Sequence, residues 1–179
     1  MSRYADAIPI VAYNPAFARW FSQVREFIIA ALPFDVRVEH IGSTSVPGLA
    51  GKGIIDCMVI THREWCPEAR ARIAAAGLHQ HSHSHPAEDW WYAGGELTGE
   101  EGEVIPVHVH ITWAGSERER SHLAFCRYLQ AHPEEAAEYL RLKYEWRELA
   151  RGDRVAFTDM KAPYVASVVE KALAEMWGG

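Results

Sequence analysis

EHIGSTSVPGLAGKGIIDCMVI, residues 39–60, decides how the rest of the chain is read. Its first residues continue an extended run from Phe34 to Ile41, where Val36, Val38 and His40 alternate with Arg37, Glu39 and Ile41 at the period of a strand. Gly42-Ser43-Thr44-Ser45-Val46-Pro47-Gly48 is too rich in Gly, Ser and Pro to prolong that strand, so a turn follows directly. Ile54 to Ile60 is then a second, more buried strand interrupted by one acid, Asp56. A carboxylate inside an apolar strand needs a partner or a metal, because an unpaired buried charge is costly. The turn exposes backbone N–H groups and hydroxyls that can cradle phosphate oxygens, with Lys52 as countercharge. The same residues also suit a plain tight turn with a solvated lysine.

Upstream, Phe17, Trp20, Phe21, Val24, Phe27, Ile28 and Ala31 recur at helical spacing from Pro15 to about Leu32, and Pro33 stops the helix. Downstream, Glu64 to Ala76 reads as a helix closed by Gly77. Residues 79–103 are the least regular, with one aromatic strand at Trp90-Trp91-Tyr92. Val104 to Trp113 alternates clearly: Val104, Pro106, His108, His110 and Thr112 share one face, and Ile105, Val107, Val109, Ile111 and Trp113 the other. Three helices follow, at about 117–130, 133–150 and 158–176. Strands and helices in this order predict an α+β fold, a small mixed sheet flanked by helices with a helical C-terminal third. The 179 residues, without internal repeat or linker, predict one domain over 1–179.

Charge and cysteine content narrow the function. With 18 Lys+Arg against 24 Asp+Glu the net charge is −6, so the broad positive field that bulk DNA binding uses is missing, while a local anion pocket stays open. Three cysteines, at 57, 66 and 126, form neither a disulfide framework nor a Cys-type zinc site and point to a reducing, cytoplasmic setting. The first residues lack the pattern of a secretion signal, and no apolar stretch is long enough to cross a membrane. The 7 Trp leave room for an aromatic patch that would support a homo-oligomer.

His108 and His110 lie on one strand face, near enough to share a metal ion or a substrate with Asp56 if the two strands are neighbours; a solvent-facing pair satisfies the same alternation. Lys143 falls on the apolar stripe Ala136, Tyr139, Leu140, Trp146, Ala150, and Lys161 precedes Val165, Val168 and Val169 on another. A lysine on such a stripe either snorkels outward or meets an anion. With Lys52, the pair suggests a cationic patch over the sheet end that carries the Gly-Ser turn. The alternating tract His79, His81, His83, His85 reads as an exposed loop or edge strand, with adventitious Zn or Ni binding as its functional alternative.

The 39–60 motif resembles the GrpB family, whose members resemble the nucleotidyltransferase fold. The resemblance continues in HVHI (108–111), FCRYLQAHPEEAAEYLRLK (125–143) and FTDMKAPYV (157–165). It implies a nucleotide or other small anionic substrate held at Gly42 and Ser43, with His40, Thr44, Ser45, Lys52, Lys143 and Lys161 as further anion contacts. In active members of the wider superfamily, two carboxylates one residue apart and a third on a later strand hold Mg²⁺ for in-line attack on a phosphorus. Here the resemblance leaves Asp56, His108 and His110 as ligands for a divalent metal ion, and Asp56 with His110 as the catalytic pair. The second carboxylate position falls on Met58, and imidazoles favour Zn, Ni or Fe over Mg. The family's usual Phe-Arg-Asp-Tyr-Leu is Phe125-Cys126-Arg127-Tyr128-Leu129 here, Gly53 replaces its usual proline, and Phe157 its usual tyrosine.

Three readings of function follow: a nucleotidyltransferase-like enzyme carrying out metal-dependent group transfer; a non-catalytic ligand-binding or assembly module that keeps the pocket and has lost the metal triad, as Met58 suggests; and a metal-binding protein built on the histidine tract.

Overall fold

The structure, a computed structural model, describes residues 8–79, 83–85 and 90–177, with the backbone alone at 83–85 and 176–177. In chain order it runs α1 (Phe17–Ala31), β1 (Arg37–Ile41), β2 (Ile55–Thr61), α2 (Cys66–Ala75), β3 (His83–His85), β4 (Trp90–Thr98), β5 (Val104–Trp113), α3 (Glu117–Ala131), α4 (Pro133–Ala150) and α5 (Arg154–Trp177). The strands form one mixed sheet in the order β1-β2-β5-β4-β3. β2 pairs with β5 in parallel, and the other neighbours are antiparallel. This is the α+β class that the pattern of elements predicts.

The alternation of β5 is borne out by burial. Ile105, Val107, Val109 and Ile111 are fully enclosed on one face, where Val24 and Ile28 of α1 and Ala69 and Ile73 of α2 meet them together with Cys57 and Val59 of β2. On the opposite face α3 packs Leu123 and Cys126 against Ile41, Met58 and Ile60. The interior position of β2, with neighbours on both edges and helices over both faces, explains its apolar run, which Asp56 alone interrupts before the closing Thr61. A third apolar cluster joins the loop after β1 (Val46, Leu49) to Leu129, Tyr139, Trp146, Phe157 and Val168, so the helical third closes on the Gly-Ser turn.

Several boundaries differ from the sequence reading, beginning with β1, which starts at Arg37 and not Phe34. β4 runs nine residues, through Gly94 and Gly95, where the sequence marks only 90–92 as strand. Those glycines stand opposite His108 and Val107, and the ladder with β5 overrides their weak strand preference. α2 starts at Cys66, with Pro67 in its first turn, after a 3₁₀ turn at Arg63–Trp65. α5 starts at Arg154 and not 158, because Asp153 Oδ1 accepts from the N–H groups of Val155 and Ala156 and caps the helix. Ser116 caps α3 by accepting from the Glu119 N–H at 3.0 Å.

His81 lies outside the described residues. His79 bridges to Gly94, and the backbone of His83–His85 forms the edge strand β3.

Candidate functional site

Strand register builds the floor of the site. Asp56 stands beside His108 and Met58 beside His110 in the parallel β2–β5 pair, so all four side chains leave the same face of the sheet. Oδ1 of Asp56 lies 3.2 Å from Nδ1 of His108 and 3.9 Å from Nε2 of His110. Burial alone would push the Asp56 carboxyl up, but the two imidazoles outweigh it and hold the group well below the usual carboxylate range. A single carboxylate thus orients two rings. His108 turns Nδ1 to it, and His110 turns Nε2, leaving a buried Nδ1 without a hydrogen-bond partner among the described residues. The Tyr92 ring centroid lies 5.4 Å from that of each imidazole, and burial raises its hydroxyl far above the ordinary range.

The Gly-Ser turn forms the rim. Gly42 has φ +71°, and a Cβ there would stand 2.5 Å from Asp56 Oδ2, so both the turn and the carboxylate require glycine. Ser45 Oγ donates to the Gly42 carbonyl at 2.7 Å, and Thr44 Oγ1 donates to the Ile54 carbonyl at 3.1 Å. Because that proton is committed, Nε2–H of His40 donates to Thr44 Oγ1, 2.9 Å away. The His40 ring stacks on Phe21, 4.5 Å between centroids, and burial lowers its pKa to about 4 against the pull of Asp56. His40 is therefore neutral near pH 7. It and Ser45 brace the turn, and neither lines the cavity.

The helical third supplies the cations. Lys143 of α4 is 4% exposed; its Nζ donates to Ser43 Oγ at 2.9 Å and to the Ala50 carbonyl. It also stands 5.1 Å from the centroid of Tyr139. Burial, then repulsion from Lys161 and Lys52, brings the Lys143 pKa down to about 7. Lys161 of α5 is lowered by the same burial and by Lys52. Between turn, sheet and helices lies a cavity of about 380 Å³ that Gly42, Ser43, Thr44, Lys52, Asp56, His108, His110, Lys143 and Lys161 all line.

Other lining residues escape sequence reasoning. His122 of α3 donates from Nδ1 to the Arg118 carbonyl at 2.9 Å, so in the neutral ring Nε2 carries the lone pair; burial and His110 lower its pKa to about 4. Cys126 is buried beside the turn, and burial raises its thiol. The spacing His122, Phe125, Cys126, Leu129 is a helix face that would have marked them. The strap Ile8-Pro9-Ile10, tied down by the bridge of Val11 to Gly51, lines the cavity as well. Gly53 has φ +73°, which a proline ring cannot adopt.

The mixed sheet flanked by helices has a nucleotidyltransferase-like fold. A crystal structure of the Cid1 poly(U) polymerase with MgGTP bound matches it with a TM-score of 0.56 and 12% identity, over 78% of this chain and 44% of that one. The chain belongs to the GrpB family, whose model, described as GrpB protein, matches residues 7–171. The crystal structure of the conserved protein GrpB from Enterococcus faecalis matches with a TM-score of 0.76 and 28% identity, over 94% of this chain and 99% of that one. The UPF0157 protein SCO7215 of Streptomyces coelicolor is 32% identical over 164 residues, 89% of this chain and 81% of that relative.

The residues present do not fit Mg²⁺. That ion takes oxygen ligands in near-octahedral geometry and keeps several waters. Here the floor offers one carboxylate already engaged by two rings, and its neighbour on the same strand face, Met58, is fully buried among Ile41, Ile60 and Leu123 and offers no oxygen. The nitrogen donors are of the type that borderline transition ions prefer. Asp56, His108 and His110 do converge, but in contact with one another, and among the described residues no group of three or more His, Cys, Asp or Glu is arranged to hold a metal. No helix is long and apolar enough to cross a membrane among the described residues.

Proposed function

We propose that the chain binds a nucleotide or another phosphorylated small molecule in this cavity, phosphate toward Ser43 and the lysines, and acts on it by group transfer. The observation that carries the reading is the meeting of Lys143 and Lys161 at the Gly-Ser turn, with neither ammonium paired to a carboxylate among the described residues. Neighbouring buried cations raise each other's cost, and an anion between them removes it. A volume of about 380 Å³ lies within the range of small-molecule sites. MgGTP bound to a polymerase of the same fold supports a nucleotide.

In this reading Ser43 and the Gly42 backbone receive the phosphate, Thr44 with His40 and Ser45 keeps the turn in shape, and Lys52 guards the mouth. Asp56 and His110 are the catalytic pair, joined by His108, whose ring is the more open of the two and whose Nε2 is free to take a proton from a ligand hydroxyl. Three buried free thiols suit a reducing cytoplasm. Met58 favours a second reading, a non-catalytic module that only binds, since no second carboxylate is there to organise transfer. Calorimetric titration with AMP, ATP, GTP and inorganic phosphate tests binding; chromatography of the same mixtures separates the readings. A new product abolished by Asp56→Asn supports transfer, binding without turnover supports the module, and no binding removes both.

A further inference from the structure

We propose that the cavity takes up its phosphate ligand free of Mg²⁺, with the ammonium groups of Lys52, Lys143 and Lys161 supplying the positive charge that the ion would otherwise bring. The inference rests on the phosphate-binding reading above and narrows its ligand to an uncomplexed phosphate ester. The uncharged body of that ester lies along the apolar wall of Phe125, Leu129 and Val165.

The floor carboxylate already has one oxygen engaged. Asp56 Oδ1 faces the ring nitrogens of His108 and His110 at 3.2 and 3.9 Å, and Oδ2 abuts the turn so closely that a Cβ on Gly42 would stand 2.5 Å from it. One carboxylate, with Oδ1 shared between two rings, is a sparse set for an ion that demands oxygen ligands in near-octahedral geometry. Met58 contributes nothing to a cation, being fully buried in an apolar cluster. Meanwhile three lysines converge on one cavity that holds a single carboxylate. A Mg²⁺ riding on the ligand's phosphates would add like charge beside them and cancel part of the ligand charge they attract.

The test is titration of metal-stripped protein with AMP and ATP, in EDTA and again with excess Mg²⁺, followed by calorimetry and thermal shift. Both ligands bind in EDTA, excess Mg²⁺ weakens ATP by about tenfold, and Lys161→Met weakens each by a similar factor while Lys161→Arg restores it. Circular dichroism and the unliganded melting temperature verify that each variant is folded. ATP binding that needs Mg²⁺, or is strengthened by it, overturns this inference and leaves the phosphate-binding reading intact. Absence of binding in both buffers overturns that reading and this inference with it.

Discussion

Gly42 and Asp56 share one volume: the space a side chain on Gly42 would fill is taken by Oδ2 of Asp56, 2.5 Å from the Cβ position. The turn and the carboxylate are thus two halves of one packing arrangement, and either fails without the other. Gly42→Ala adds both this overlap and the penalty of φ +71° for a residue with a Cβ. We expect it to cost about 2–4 kcal/mol in urea unfolding and to abolish ligand binding even where folded protein is recovered.

Acid unfolding reports on Asp56. Its folded pKa lies well below the unfolded value of 3.8, so the carboxylate's contribution is complete above that pH and fades as pH falls below it, where the unfolded chain binds a proton that the folded chain refuses. Asp56→Asn removes this share of the slope. Urea melts between pH 2.5 and 5 should be flatter for the variant than for the parent, and equal slopes would contradict the pairing of Asp56 with the imidazoles.

Lys143 gives a slope of the same sign in a higher pH window, because here burial of the ammonium costs stability that deprotonation returns. Its folded pKa of about 7 lies below the unfolded 10.5, so between these values the unfolded chain holds the extra proton and stability rises with pH. Anion binding falls over the same window as the ammonium discharges. Lys143→Met should remove both trends in melting temperature and ligand affinity from pH 6.5 to 9.5; a variant that keeps them would assign the titration to another group.

Position 58 tests the apolar packing beside Asp56. Met58→Leu keeps volume and polarity and should cost less than about 1.5 kcal/mol. Met58→Asp puts a charge into the cluster of Ile41, Ile60 and Leu123 and should cost about 4 kcal/mol or more. Denaturant midpoints distinguish the two, and a well-tolerated aspartate would show that this wall can open to water.

Lys161 and Lys52 should add to ligand affinity without holding the fold. Lys161 is half-buried and Lys52 exposed, and no hydrogen bond or ion pair engages either ammonium among the described residues. Each change to Met should leave the unliganded melting temperature within about 2 °C, as surface substitutions generally do, while weakening phosphate-ligand binding severalfold. A large loss of unliganded stability would make them structural.

Much of this arrangement is legible from local pattern. The alternation of Val104 to Trp113 assigns His108 and His110 to one face, and burial follows it residue by residue. Asp56 stands out as an acid in an apolar run, and Lys143 and Lys161 as lysines on apolar stripes; all three line the cavity. His40 reads as an anion contact and instead lies against Phe21, since nothing near residue 40 in sequence signals that α1 passes there. β4 continues through two glycines because its partner strand is already in place.

Sequence by itself determined most of the elements, the faces of the strands and the glycine turn, because side-chain period and backbone permissiveness are properties of a few adjacent residues. Tertiary structure decided which groups meet. The register of β2 against β5 put one carboxylate between two imidazoles, and the closure of α4 brought Lys143 to Ser43 across a separation of 100 residues. Such contacts depend on packing between elements distant in sequence, and packing also decides whether a buried charge is paired, left waiting for a ligand, or excluded, as at Met58.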